Sequence, residues 1–119
     1  MTRSNSNPDN VVQNIRREDG ATVLTLAGDI DLHRSVDMRE RLLEVMNEKP
    51  KTTVINLSQV DFMDSSGLAT LVEAMQLSRR YGGQIKLVGV QQRVRSILEI
   101  SRLDSIFPIF ENEAEALAS

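Results

Sequence analysis

The chain contains no cysteine and no tryptophan, one histidine, three prolines and only 3% aromatic residues. Each scarcity excludes something. Without cysteine there are no disulfides, no thiolate nucleophile and no Cys-ligated zinc, a usage that fits a reducing, cytoplasmic setting. The 14 Lys and Arg are outnumbered by 17 Asp and Glu, for a net charge of −3. A chain this acidic and this poor in aromatics lacks both the basic footprint and the stacking platforms of nucleic-acid binders, so no direct nucleic-acid partner is expected. No apolar run approaches the roughly 18 residues a membrane span requires. The first ten residues are rich in Ser and Asn and have no apolar stretch, which is unlike a secretory signal. Neither membrane insertion nor export is expected.

What remains describes an ordinary globule. The 119 residues are 40% hydrophobic and 26% charged, within the size of one domain of roughly 100–150 residues. Such a chain buries about 60–70% of its unfolded surface, enough for a core. Residues 1–10 read as a mobile polar leader, and residues 11–118 as a single domain.

Hydrophobic periodicity sets out the elements. Two β-type runs, residues 11–17 and 21–27, flank Glu18-Asp19-Gly20. The Asp-Gly pair suits the positive φ of a tight hairpin, so these strands should be antiparallel neighbours. After Gly28 the period changes. Met38, Leu42, Val45 and Met46 form one helical stripe, with Ser35 the expected N-cap and Lys49-Pro50 the stop. Residues 52–57 are a strand whose apolar Val54, Ile55 and Leu57 suit a sheet covered on both faces.

Residues 58–64 read as a loop with Val60 and Phe62 turned inward. A helix over 65–81 buries Leu68, Leu71, Val72 and Met75 and ends at Gly82-Gly83. A strand over 84–88 follows, then a helix over 91–101 burying Val94, Ile97 and Leu98. Pro108 makes residues 106–110 an edge strand, because proline cannot donate to a ladder. Residues 113–118 can form a last helical turn or two. The order β-β-α-β-α-β-α-β-α predicts an α/β fold with a mixed, mostly parallel sheet of about five strands, the first antiparallel, and about four helices.

Sites in parallel sheets gather at the carboxyl ends of the strands. Three segments qualify: residues 28–34, 58–66 and 89–92. The middle one carries Phe62-Met63-Asp64-Ser65-Ser66-Gly67-Leu68, which places two hydroxyls where a helix begins and backbone N–H groups lack partners. Local chemistry supports a cap formed by Asp64 or a serine. It also allows, less directly, a phosphorylation site, since a phosphate there would find first-turn amides to accept from.

Val54-Ile55-Asn56-Leu57 followed by Val60-Asp61-Phe62-Met63-Asp64-Ser65-Ser66-Gly67-Leu68 resembles the bacterial anti-sigma factor antagonists, whose fold is the STAS domain. The resemblance continues through Gly82-Gly83-Gln84-Ile85-Lys86-Leu87-Val88 and Ile97-Leu98-Glu99-Ile100-Ser101-Arg102-Leu103. Upstream, Leu26-Ala27-Gly28-Asp29-Ile30-Asp31 is similar to the family's second strand and the loop after it. Ala69 departs from the glycine that many members carry, a change expected to be tolerated.

The resemblance implies a STAS-like fold and a non-enzymatic phospho-switch in the cytoplasm. The unphosphorylated form would bind an anti-sigma factor that is also a serine kinase, releasing the sigma factor. That kinase would phosphorylate Ser65, and a metal-dependent serine phosphatase would reset it. Asp29, Asp31, His33, Arg34, Asp61, Met63, Asp64, Ser66, Gly67, Leu68 and Arg93 would join Ser65 in the contact surface; by local chemistry the Phe62-Met63 pair reads as core, with Met63 the one that could be exposed beside Ser65. A STAS subunit of a membrane transporter or signalling assembly, binding constitutively, is the alternative the resemblance leaves open.

Other chemistry finds little support in the residues. Asp29, Asp31 and His33 offer at most three metal ligands without an established loop spacing. A Ser65–His33–Asp31 hydrolase would lack the Gly-x-Ser-x-Gly elbow and any mark of an oxyanion hole. No phosphate-binding Gly-x-x-x-x-Gly-Lys run exists, so ATP would be held by a partner. Arg79-Arg80 suit the dipole at a helix end. No metal, cofactor or catalytic residue is expected.

Overall fold

The computed structural model describes residues 10–119, so the expected leader lies, but for Asn10, outside the described residues. Five strands form one sheet in sequential order, β1 to β5. β1 (Val12–Glu18) and β2 (Ala21–Ile30) are antiparallel, joined by Asp19 at φ +49° and Gly20 at φ +82°. Two consecutive positive φ values match the right-handed twist of the flanking strands, as the Asp-Gly pair predicts. β3 (Thr52–Met63), β4 (Gln84–Val88) and β5 (Ile109–Phe110) follow in parallel.

Every crossover steps one strand along in the same direction, so right-handed connections place the three crossover helices on one face. These are α1 (Leu32–Asn47), α2 (Ser65–Arg80) and α3 (Gln92–Ile100). Met38 and Leu42 of α1, Leu71 and Met75 of α2, and Val94 and Leu98 of α3 pack on Leu24, Leu26, Ile55, Leu57, Ile85 and Leu87 in one core. The alternate strand positions, Val23, Val54 and Val88, face the other way and meet Ala116 of a short fourth helix, α4 (Glu113–Ala118). The sheet is therefore covered on both faces, the second by this one helix.

Polar contacts fasten α4. Glu113 accepts from Arg16 at 3.1 Å and from Asn56 at 2.8 Å. The buried Lys86 ammonium donates to the Ala116 carbonyl at 2.8 Å, supplying one of the partners that helix carbonyls lack at a C-terminus. A bidentate Arg39–Glu73 pair, at 2.7 and 2.8 Å, ties α1 to α2.

Four expectations are corrected by the structure. The N-cap of α1 is Asp31, which accepts the Arg34 N–H at 2.9 Å; Ser35 lies buried inside the helix, its hydroxyl donating to the Leu32 carbonyl. A carboxylate four residues upstream of Ser35 reaches the free amides first. Residues 58–63 are strand, not loop, because β2 runs on to Ile30 and pairs Asp29 with Phe62 and Ile30 with Met63. Within this extension Val60 and Met63 are buried while Phe62 is only half-buried. The last strand shrinks to Ile109–Phe110, since residues Leu103–Ser105 form a 3-10 turn behind a left-handed Arg102. Ile97 and Val72, expected in the core, pack against it half-buried.

Candidate functional site

The carboxyl rim of the sheet is tight, because strands pass to helices with almost no loop. Asp31 alone separates β2 from α1, and Asp64 alone separates β3 from α2. Both residues have extended backbone and accept from the helix they precede, so each ends a strand and starts a helix at once.

Asp64 organises the corner. Its Oδ1 accepts the Ser66 N–H at 2.9 Å, the Gly67 N–H at 3.4 Å and the Ser66 hydroxyl. The Leu32 N–H at the start of α1 also acts favourably on the carboxylate. The Ser66 hydroxyl above all, then the backbone amides of Ser66, Gly67 and Leu32, hold the Asp64 carboxyl below its ordinary value against the opposing effect of burial. The Asp64 backbone N–H donates to the Ile30 carbonyl at 3.0 Å, which stitches β3 to β2 at this point.

The two serines have different surroundings. The Ser66 hydroxyl is committed to Asp64. Ser65 is exposed, is the first residue of α2, and its hydroxyl has no hydrogen-bond partner among the described residues. Gly67 is required by close packing: a Cβ there would lie 2.4 Å from Met63 Cγ and 3.1 Å from Ile30 Cγ2.

The expected contact residues divide accordingly. Asp29, Asp31, His33, Asp61 and Arg93 are exposed on the rim. The Arg93 guanidinium stands 6.0 Å over the Phe62 ring, within reach of a cation–π attraction. Arg34 is half-buried, folds over Gly28 and donates to the Ala27 carbonyl at 3.2 Å. Met63 is fully buried, as the core reading of the Phe62-Met63 pair expects, which corrects its place among the contact residues; Gly67 and Leu68 are buried too and shape the rim from beneath.

Two exposed side chains were missed in the sequence. Leu32 is 72% exposed and Val36 58%, one turn apart at the start of α1. Their signal is that they fall outside the Met38-Leu42-Val45-Met46 stripe, and it becomes readable once Asp31 is taken as the cap. Among the described residues no three His, Cys, Asp or Glu side chains converge as a metal site, and no helix is long and apolar enough to cross a membrane.

Comparison with known proteins agrees with this geometry. The STAS domain family model matches residues 13–116. An anti-sigma F factor antagonist from Paenibacillus polymyxa is 32% identical over 99 residues, covering 82% of this chain and 85% of that one. The anti-sigma-F factor antagonist RsfB of Mycobacterium tuberculosis is 32% identical over 115 residues, 94% of this chain and 91% of the relative. Among solved structures, an anti-sigma factor antagonist from Mycobacterium paratuberculosis superimposes with a TM-score of 0.83 at 26% identity, covering 94% of this chain and 95% of that one.

Proposed function

Since the chain belongs to the STAS domain family, we propose that it is an anti-sigma factor antagonist, a non-enzymatic binding protein switched by phosphorylation of Ser65. The unphosphorylated rim binds an anti-sigma factor that is also a serine kinase, and the sigma factor is released. Phosphorylation by that partner ends the complex, and a metal-dependent serine phosphatase restores it. Nucleic acid is not contacted directly.

The observation that carries this reading is the contrast between the two hydroxyls. Ser66 is held by Asp64, while Ser65 is exposed, unpartnered and first in its helix. A phosphate on Ser65 adds about −1.5 to −2 charges without breaking any contact of the folded chain. Asp29, Asp31 and Asp61 already make the rim acidic, so the added charge raises the cost of docking an apolar surface on Leu32 and Val36. Burying a mispaired charge in an interface costs on the order of 2–5 kcal/mol, enough to dissolve a complex of ordinary strength.

The experiment is capture from the native cell's lysate with wild type, Ser65→Ala and Ser65→Asp, followed by calorimetry on the purified partner. An ATP-binding kinase held by wild type and Ser65→Ala but lost with Ser65→Asp, and which phosphorylates Ser65 in wild type, is the expected result. Equal retention of one partner by all three variants would overturn the switch and favour constitutive assembly.

A further inference from the structure

The opposite end of the molecule holds a feature that plays no part in the proposed switch. α1 and α2 lie side by side, and between their C-terminal ends opens a groove of about 390 Å³. Leu43, Met46, Leu77 and Tyr81 form its apolar lining, and Lys49 and Arg80 flank it. That volume falls at the small end of ligand sites.

The lining is stiff on one side. The Tyr81 hydroxyl meets the Met46 sulfur at 3.7 Å, and the ring lies so close to Gly83 that a Cβ there would come within 2.5 Å of it. Neither Lys49 nor Arg80 has an ion-pair or side-chain hydrogen-bond partner among the described residues. Lys49 adopts φ +57°, at a helix end where glycine is the usual residue. The lysine at the mouth of the groove therefore stands where its side chain carries a conformational cost.

We propose that this groove binds a free aliphatic carboxylate, with the alkyl chain along Leu43, Met46, Leu77 and Tyr81 and the carboxylate between Lys49 and Arg80. The apolar lining suits methylene groups, and two unpartnered cations suit one anion. The ends of α1 and α2 present negative dipole ends here, so attraction for an anion comes from the two side chains alone. A neutral alcohol of equal length fills the lining but leaves both cations unmatched. The site is independent of the reading of Ser65.

The test is an NMR titration of the full chain with hexanoate, octanoate and decanoate below their micellar concentrations. Saturable shifts confined to Leu43, Met46, Leu77 and Tyr81 are expected, with affinity rising about fourfold per added methylene. 1-Decanol should bind at least tenfold more weakly. A Lys49→Ala/Arg80→Ala double variant should lose at least tenfold for decanoate with its melting temperature unchanged. Shifts that spread without saturating, or equal binding of decanol, would overturn the proposal. So would a short peptide ending in a leucine carboxylate that occupies the groove when decanoate does not.

Discussion

The Asp64 carboxylate, which caps α2, also feels the backbone N–H of Leu32, the first residue of α1. The starts of two helices of 16 residues therefore meet at one side chain, although Asp31 is the cap of α1. The unpaired amides and positive dipole ends of both converge there, and the carboxylate offsets them.

Replacing that carboxylate should loosen the start of α2. Asp64→Ala is expected to cost about 1–2 kcal/mol, the upper range for an N-cap, and to lower the melting temperature by several degrees. Asp64→Asn keeps an acceptor and should cost clearly less. Thermal denaturation followed by circular dichroism decides this; an Ala variant as stable as wild type would show that the cap contributes nothing.

Acid should act through the same group. Asp64 is held below its ordinary value chiefly by Ser66, and Glu113 chiefly by Asn56 and then Arg16. A carboxyl with a depressed folded value stabilises the fold above its unfolded value, near pH 4, and the contribution is lost as pH falls through the folded value. Urea midpoints should be flat above about pH 5 and fall below about pH 4. Asp64→Asn should shallow that fall, and an unchanged slope would remove Asp64 from the account.

Gly67→Ala tests the packing under the site. Alanine favours helix by about 1 kcal/mol over glycine, but its Cβ would meet Met63 Cγ at 2.4 Å in a closed core. Overpacking of this kind costs about 1–3 kcal/mol, so a net loss of stability is expected in urea unfolding. Gly20→Ala is a control with no atom within 4 Å of the added Cβ, where only the φ of +82° resists. A Gly67→Ala variant more stable than wild type would mean Met63 yields easily.

Leu32→Ala and Val36→Ala test the apolar patch. Both side chains are more than half exposed, so stability should change by less than about 0.5 kcal/mol. Partner affinity should fall at least tenfold for the pair, about 1.4 kcal/mol. Isothermal calorimetry against the captured partner is the measurement, and unaltered affinity would take α1 out of the interface. Asp31→Ala is a poorer probe, because Asp31 also caps α1.

Much of this was legible beforehand where local chemistry dominates. The strand over 84–88 and the helix over 113–118 agree residue for residue, because Gly-Gly before one and an Asn cap before the other mark sharp boundaries. The Asp64-Ser65-Ser66-Gly67 corner was legible for the same reason. The end of β3 was not. The β2–β3 register shifts on either side of Ala27, each with one extra residue on β3, break the period of two, so Val60 and Met63 are buried three apart and the segment reads as a loop. The burial of Met63 rests on a strand pairing between residues 33 apart in the chain. Ser35 was mistaken for a cap because Asp31 appeared to belong to a longer loop.

The one-residue junctions at Asp31 and Asp64 have a consequence for signalling. A corner with no slack offers no loop that could swing to a second position, so the junctions themselves supply no means of amplifying a modification. Each chain would then count once: its output should follow the fraction modified in simple proportion, with a Hill coefficient of about one. Any threshold in the cell would have to arise from the partners' relative amounts or from the opposing modifying enzymes, and not from this protein.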